Sequence, residues 1–119
     1  MKIIIAGSRD FTDYRLLLQK VDDIIEELEC DRNKIIIVSG GARGADLLGE
    51  KYADECGFPV AKFEADWDKH GKSAGYKRNK EMAKYGDVLI AFWDGQSKGT
   101  GHMIDLAKNH KLKVYVINV

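Results

Sequence analysis

Three short runs constrain this chain more than any other feature: Lys2-Ile3-Ile4-Ile5-Ala6, Lys34-Ile35-Ile36-Ile37-Val38 and Asp87-Val88-Leu89-Ile90-Ala91-Phe92. Their apolar residues do not alternate with polar ones, so a strand built from any of them has no face to show to water. Such strands need cover on both sides, and a parallel sheet between two layers of helices supplies it. Pro59-Val60-Ala61-Lys62-Phe63 and Lys111-Leu112-Lys113-Val114-Tyr115-Val116-Ile117 are weaker and read as strands nearer the sheet edges.

Helix signals fill the gaps. Tyr14, Leu17, Leu18, Val21, Ile24, Ile25 and Leu28 recur at helical spacing behind Thr12, a capping residue, and predict a helix near 13–29. Ala45, Leu48, Tyr52 and Cys56 predict another near 44–56, stopped by Gly57 and Pro59; Met82, Ala83 and Tyr85 predict one near 74–85; Met103, Ile104 and Ala107 mark the last. Five strands alternating with four helices make a Rossmann-like, doubly wound three-layer α/β sandwich with a five-stranded, mainly parallel sheet. The loops at 7–11, 39–44, 64–74 and 93–100 then converge at one sheet edge near the switch point, where such folds bind ligands.

At 119 residues the chain is expected to form one domain, 1–119. No apolar run reaches the ~20 residues of a membrane span and the start is too short for a signal peptide, so the cytoplasm is the expected location. Nineteen basic and nineteen acidic residues cancel, which argues against membrane and makes nucleic acid an unfavoured partner. Cys30 and Cys56 stand outside any Cys-x-x-Cys or Cys/His cluster and read as small hydrophobes; the three histidines show no ligand spacing. No metal and no cofactor is expected.

Two glycine-bearing loops, Ser39-Gly40-Gly41-Ala42-Arg43-Gly44-Ala45-Asp46 and Asp94-Gly95-Gln96-Ser97-Lys98-Gly99-Thr100-Gly101, each join a strand signal to a helix signal. Backbone amides without Cβ cover can crowd onto an anion there, and the first turn of the next helix adds free N–H groups and roughly half a positive charge. Two such loops point to a nucleotide-like ligand. The first loop lacks the Lys-Ser/Thr ending of a Walker loop, and Gly-x-Gly-x-x-Gly is absent, so neither an ATPase nor a standard dinucleotide fingerprint is supported. Asp46 either complements the helix dipole or hydrogen-bonds ligand ribose.

Gly7-Ser8-Arg9 follows the first strand, with a hydroxyl and a planar fork for phosphate or carboxylate; a glycine turn with a solvated arginine is the lesser alternative. From Trp67 to Asn79, aromatics and cations interleave and could flank a base or phosphate, and Arg78 and Asn79 should face the binding edge. Thr100 is suited to cap the last helix or to meet a phosphate, and Gly99 and Gly101 flank it. Trp93 either stacks on a base or belongs to the core. His102 reads as a loop-edge histidine.

Taken in order, Gly7-Ser8-Arg9, the Ser39-to-Asp46 loop, Gly75-Tyr76-Lys77-Arg78-Asn79 and Trp93-Asp94-Gly95 with Gly99-Thr100 resemble the SLOG superfamily, which unites Smf/DprA proteins with Lonely guy phosphoribohydrolases. The small stand-alone YspA-like, YpsA-related branch is the nearest likeness. The resemblance implies binding of nucleotides or nucleotide-derived, ADP-ribose-like molecules, as sensor, sequestering protein or effector partner. It also implies a homo-oligomer joined through the helix after residue 100.

Lonely guy enzymes place a glutamate three residues after the Gly-Thr pair and an arginine on the preceding helix; Arg78 matches the arginine, but Met103 holds the glutamate position. A methionine cannot stabilise an oxocarbenium-like centre, so N-glycosidic hydrolysis, the alternative function, would need Asp46, Asp94 or Asp105 beside Arg78. The DNA-processing relatives suggest a third option. Only Lys69, Lys72, Lys77, Arg78 and Lys80 cluster as its groove would require, and net neutrality weighs against it.

Overall fold

The computed structural model describes residues 1–119. Five strands, β1 (Lys2–Gly7), β2 (Ile36–Ser39), β3 (Val60–Lys62), β4 (Val88–Trp93) and β5 (Lys113–Asn118), form one sheet in the order β3-β2-β1-β4-β5. Every pairing is parallel, so the expected sandwich forms with a sheet that is wholly, not mainly, parallel. The continuous apolar runs take the middle and the two mixed runs the edges.

Burial on both faces follows from strand pleat. Ile3, Ile5, Ile37, Val88, Ile90 and Phe92 point to one face, where α1 (Tyr14–Leu28) and α2 (Ala45–Cys56) cover them. Ile4, Ala6, Val38, Leu89 and Ala91 point to the other, under α4 (Ala74–Tyr85) and α5 (Lys98–Asn109). The short α3 (Trp67–His70) and a 3-10 turn at Gly71–Ser73 lead into α4, within a segment read as loop from sequence. Cys30 and Cys56 are unpaired and half-buried against the first core. No helix is long and apolar enough to cross a membrane.

Two caps differ from expectation. Asp13, not Thr12, caps α1, its carboxylate accepting from the Leu16 N–H at 3.1 Å. A charged acceptor complements the helix dipole better than a hydroxyl. The last helix begins at Lys98, which puts Thr100 inside its first turn with its hydroxyl 3.3 Å from that of Ser97. The turn before it is built by Asp94, whose carboxylate accepts from the Gln96 and Ser97 N–H groups, each at 2.8 Å.

The chain leaves β1 toward β2 and leaves β4 toward β5, so neighbouring central strands send their C-terminal connections in opposite directions. A crevice opens between those ends. Ser8 closes its base: its N–H donates to the Phe92 carbonyl at 3.0 Å and its hydroxyl accepts from the Asp94 N–H at 3.3 Å.

Candidate functional site

Above the C-terminal end of β1, between the first turns of α4 and α5, lies a cavity of about 240 Å³. Gly7, Arg9, Asp46, Arg78, Asn79, Gly99 and Thr100, all singled out from sequence, line it. A second hollow of about 350 Å³, bounded by Gly40, Gly41 and Arg43, shares Arg9, Ala42, Trp67 and Arg78 with the first. The two form one cleft with arginines at its waist.

Arg78 is held in place. Its Nε–H donates to the Asn79 side-chain oxygen at 3.0 Å and its Nη1 to the Gly40 carbonyl at 2.6 Å, leaving the Nη2 amino group without a protein acceptor. Asn79 in turn donates through Nδ2 to the Gly99 carbonyl at 3.2 Å, tying the guanidinium on α4 to the start of α5. At that start, the backbone before Gly99 opens to solvent: a Cβ built on Gly99 would meet nothing within 4 Å. Ser97, Gly99 and Thr100 line the cavity, so the N-terminal, positive end of a twelve-residue helix borders it.

Asp46 is 5% exposed. Burial pushes its carboxyl up from 3.8 to about 6, against the Ala42 N–H bond and the Arg78 charge, both of which favour the ionised form. The Ala42 N–H donates to its Oδ2 at 3.3 Å. Asp46 is the one carboxylate that lines the central cavity. Asp94 holds its turn, and the N–H bonds from Ser97 and Gln96 keep its carboxyl below the ordinary range. Asp105 is exposed on α5, away from this cavity in a groove with Trp93 and His102.

The first glycine loop has reasons other than anion contact. A Cβ on Gly44 (φ +82°) would collide with the Ser8 and Arg9 backbone carbonyls, and one on Gly7 with the Phe92 carbonyl. Gly41 turns at φ +74°. Its N–H donates to the Ser39 hydroxyl at 3.1 Å, and that hydroxyl donates onward to Glu50 at 2.7 Å. Gly101 gives room to the Trp93 ring, whose Nε1–H donates to the Ser97 carbonyl at 2.9 Å. Ser8, Ser39, Gly44, Trp93, Asp94 and Gly101 therefore support the cleft from outside, and Arg43 pairs with Asp10 at 3.3 Å on its outer rim.

The stretch from Trp67 to Asn79, read from sequence as able to flank a base or phosphate, supplies further lining residues. Trp67 and Tyr76 border the cavity at 52% and 47% exposure, high for large aromatic side chains. Lys72 joins them at the rim, and Met82 and Met103 form the apolar wall. The interleaving of aromatics and cations from Trp67 to Asn79 was the available signal; which rings are left uncovered is decided by the packing of α3 and α4.

A family model described as YAcAr: YspA, cpYpsA-related SLOG family matches residues 1–70. The chain belongs to the YspA, cpYpsA-related SLOG family. This SLOG chain is 38% identical over 123 residues to the Gene 61 protein of Mycobacterium phage D29, across 98% of this chain and 94% of that one. Among solved structures, DNA processing protein A (DprA) of Streptococcus pneumoniae superposes with a TM-score of 0.76 at 20% identity, over 99% of this chain and 50% of that one. DprA of Helicobacter pylori, described as binding single-stranded DNA, superposes with a TM-score of 0.64 at 24% identity, over 98% of this chain and 64% of that one. The SLOG chain thus spans between half and two thirds of those DprA chains.

The expectation that nucleic acid is an unfavoured partner is corrected by these neighbours, since the same fold carries single-stranded DNA binding in the Helicobacter protein. The flaw was to judge by net charge. Asp22, Asp23, Glu26 and Glu27 lie on α1, across the sheet from α4, so they offset Lys69, Lys72, Lys77, Arg78 and Lys80 in the sum without screening them locally.

Proposed function

We propose that the SLOG chain binds a nucleotide or nucleotide-derived ligand in the cleft between α4 and α5, as a binding module rather than a hydrolase. One observation carries this reading: the free Nη2 group of Arg78 and the open first turn of α5 around Gly99 border one cavity. A charge-bearing fork and a helix N-terminus together suit phosphate. Retention without turnover is favoured by Met103, which is 1% exposed in the wall, and by Asp46, whose carboxylate is engaged by the loop amide of Ala42. A thermal-shift screen across adenine and guanine nucleotides and ADP-ribose tests it. At a hundred times the dissociation constant, ligand should stabilise by ~2.7 kcal/mol, several degrees for a domain of this size. No shift with any of them would refute the reading.

A second reading presents the same nucleotide unit within a single strand of DNA. The exposed Trp67 and Tyr76 beside Lys69, Lys72, Lys77 and Lys80 favour it, because stacking rings and a cationic track are what single strands require. Affinity that rises with oligonucleotide length and falls steeply with salt would support the strand reading. Affinity that is flat in both would leave the free nucleotide.

A further inference from the structure

Trp67 sits on a four-residue helix, belongs to neither hydrophobic core, and borders both hollows of the cleft. Its indole is paired with no other ring and covered by no cation, whereas Tyr76 already leans edge-on against His102 at a 4.5 Å centroid distance. One edge of the indole rests on Gly75 in the first turn of α4, where a Cβ would come within 3.5 Å of it. The neighbouring charges decide what an open ring face can receive. Arg9, Lys72 and Arg78 in the first hollow and Arg9, Arg43 and Arg78 in the second outnumber Asp46 and Glu64, so a cationic ligand is disfavoured, while a neutral aromatic heterocycle tethered to an anion gains at both ends.

We infer that Trp67 is the base-recognition residue of the cleft. It stacks on the heterocycle of a nucleoside phosphate whose phosphate lies against Arg78 and the start of α5. The inference rests on the proposed nucleotide site and adds a selectivity: a nucleoside phosphate is preferred over a sugar phosphate that lacks the base.

The experiment compares AMP with ribose 5-phosphate on the wild-type chain, Trp67→Ala and Trp67→Phe, by calorimetry and by tryptophan fluorescence. Circular dichroism confirms the fold, which Trp67→Ala should retain because the ring lies outside both cores. AMP should quench wild-type fluorescence, and Trp67→Ala should lose that quench together with about 5- to 100-fold in AMP affinity. Trp67→Phe should recover most of the affinity. Ribose 5-phosphate should bind the wild type more weakly than AMP does, and bind Trp67→Ala as it binds the wild type. Equal AMP affinity in wild type and Trp67→Ala, or equal affinity of the wild type for both ligands, overturns the base-recognition role and leaves the phosphate site standing. If neither ligand binds the wild type, the proposed nucleotide site fails and this role fails with it.

Discussion

Asp46 and Arg78 flank Gly40 without forming an ion pair: a Cβ built on that glycine would stand 2.8 Å from Asp46 Oδ2 and 2.7 Å from Arg78 Nη1. The bare Cα lets both groups approach the same loop while Arg78 bonds the Gly40 carbonyl. Gly40→Ala should push the guanidinium off that carbonyl. Both contacts are ends of side chains that can swing aside, so the fold should lose little stability while calorimetry shows AMP affinity reduced. An unchanged affinity would separate the guanidinium's position from ligand binding.

The Asp46 carboxyl, raised to about 6, makes stability depend on pH with a defined sign. Between about pH 4 and 6 the folded chain keeps a proton that the unfolded chain has released, so stability falls as pH rises through that window and is level above it. From 3.8 to about 6, the loss is on the order of 3 kcal/mol. Asp46→Asn should flatten this dependence and be the more stable protein at pH 7.5. Denaturant titrations at pH 4.5 and 7.5 check it, and equal slopes for both proteins would contradict it.

Much of this was legible in sequence, for identifiable reasons. The runs at Ile3–Ile5, Ile35–Val38 and Val88–Phe92 have no polar alternation, so a parallel sheet covered on both faces was the natural outcome. Arg78 and Asn79 were legible because helical spacing from Met82 and Ala83 fixes their side of α4. Not every glycine of the loops bears on the cleft. Gly44 serves close packing against the Ser8 and Arg9 carbonyls, a tertiary contact that no local pattern reports. Trp67 was undervalued because the turns that leave its ring uncovered depend on where α3 and α4 come to rest.

Arg78→Ala should weaken AMP binding by about ten- to a hundredfold, the worth of a charge-assisted contact of about 1.5–3 kcal/mol. Part of that loss should appear in Asn79→Ala too, since Asn79 orients the guanidinium through Nε. Calorimetry on both variants checks the order, with Arg78→Ala the weaker binder.

Gly99 and Gly41 should behave differently when replaced by valine. Space is open beyond Gly99, so Gly99→Val should keep its melting temperature within a few degrees and lose anion binding. Gly41 turns at φ +74°, so Gly41→Val should cost about 1–2 kcal/mol in folding before any effect on ligand is read. Thermal melts paired with phosphate-ligand titrations distinguish the two.

The most direct measurement is proton NMR of AMP with the purified chain, read once for saturation transfer from protein to ligand and again after prolonged incubation. The expected result is transfer to the base and ribose protons, reduced in Arg78→Ala, with the anomeric proton signal of AMP undiminished. Absence of transfer would contradict the nucleotide site. Growth of free adenine signals that Arg78→Ala and Asp46→Ala abolish would show a hydrolase in place of a binding module.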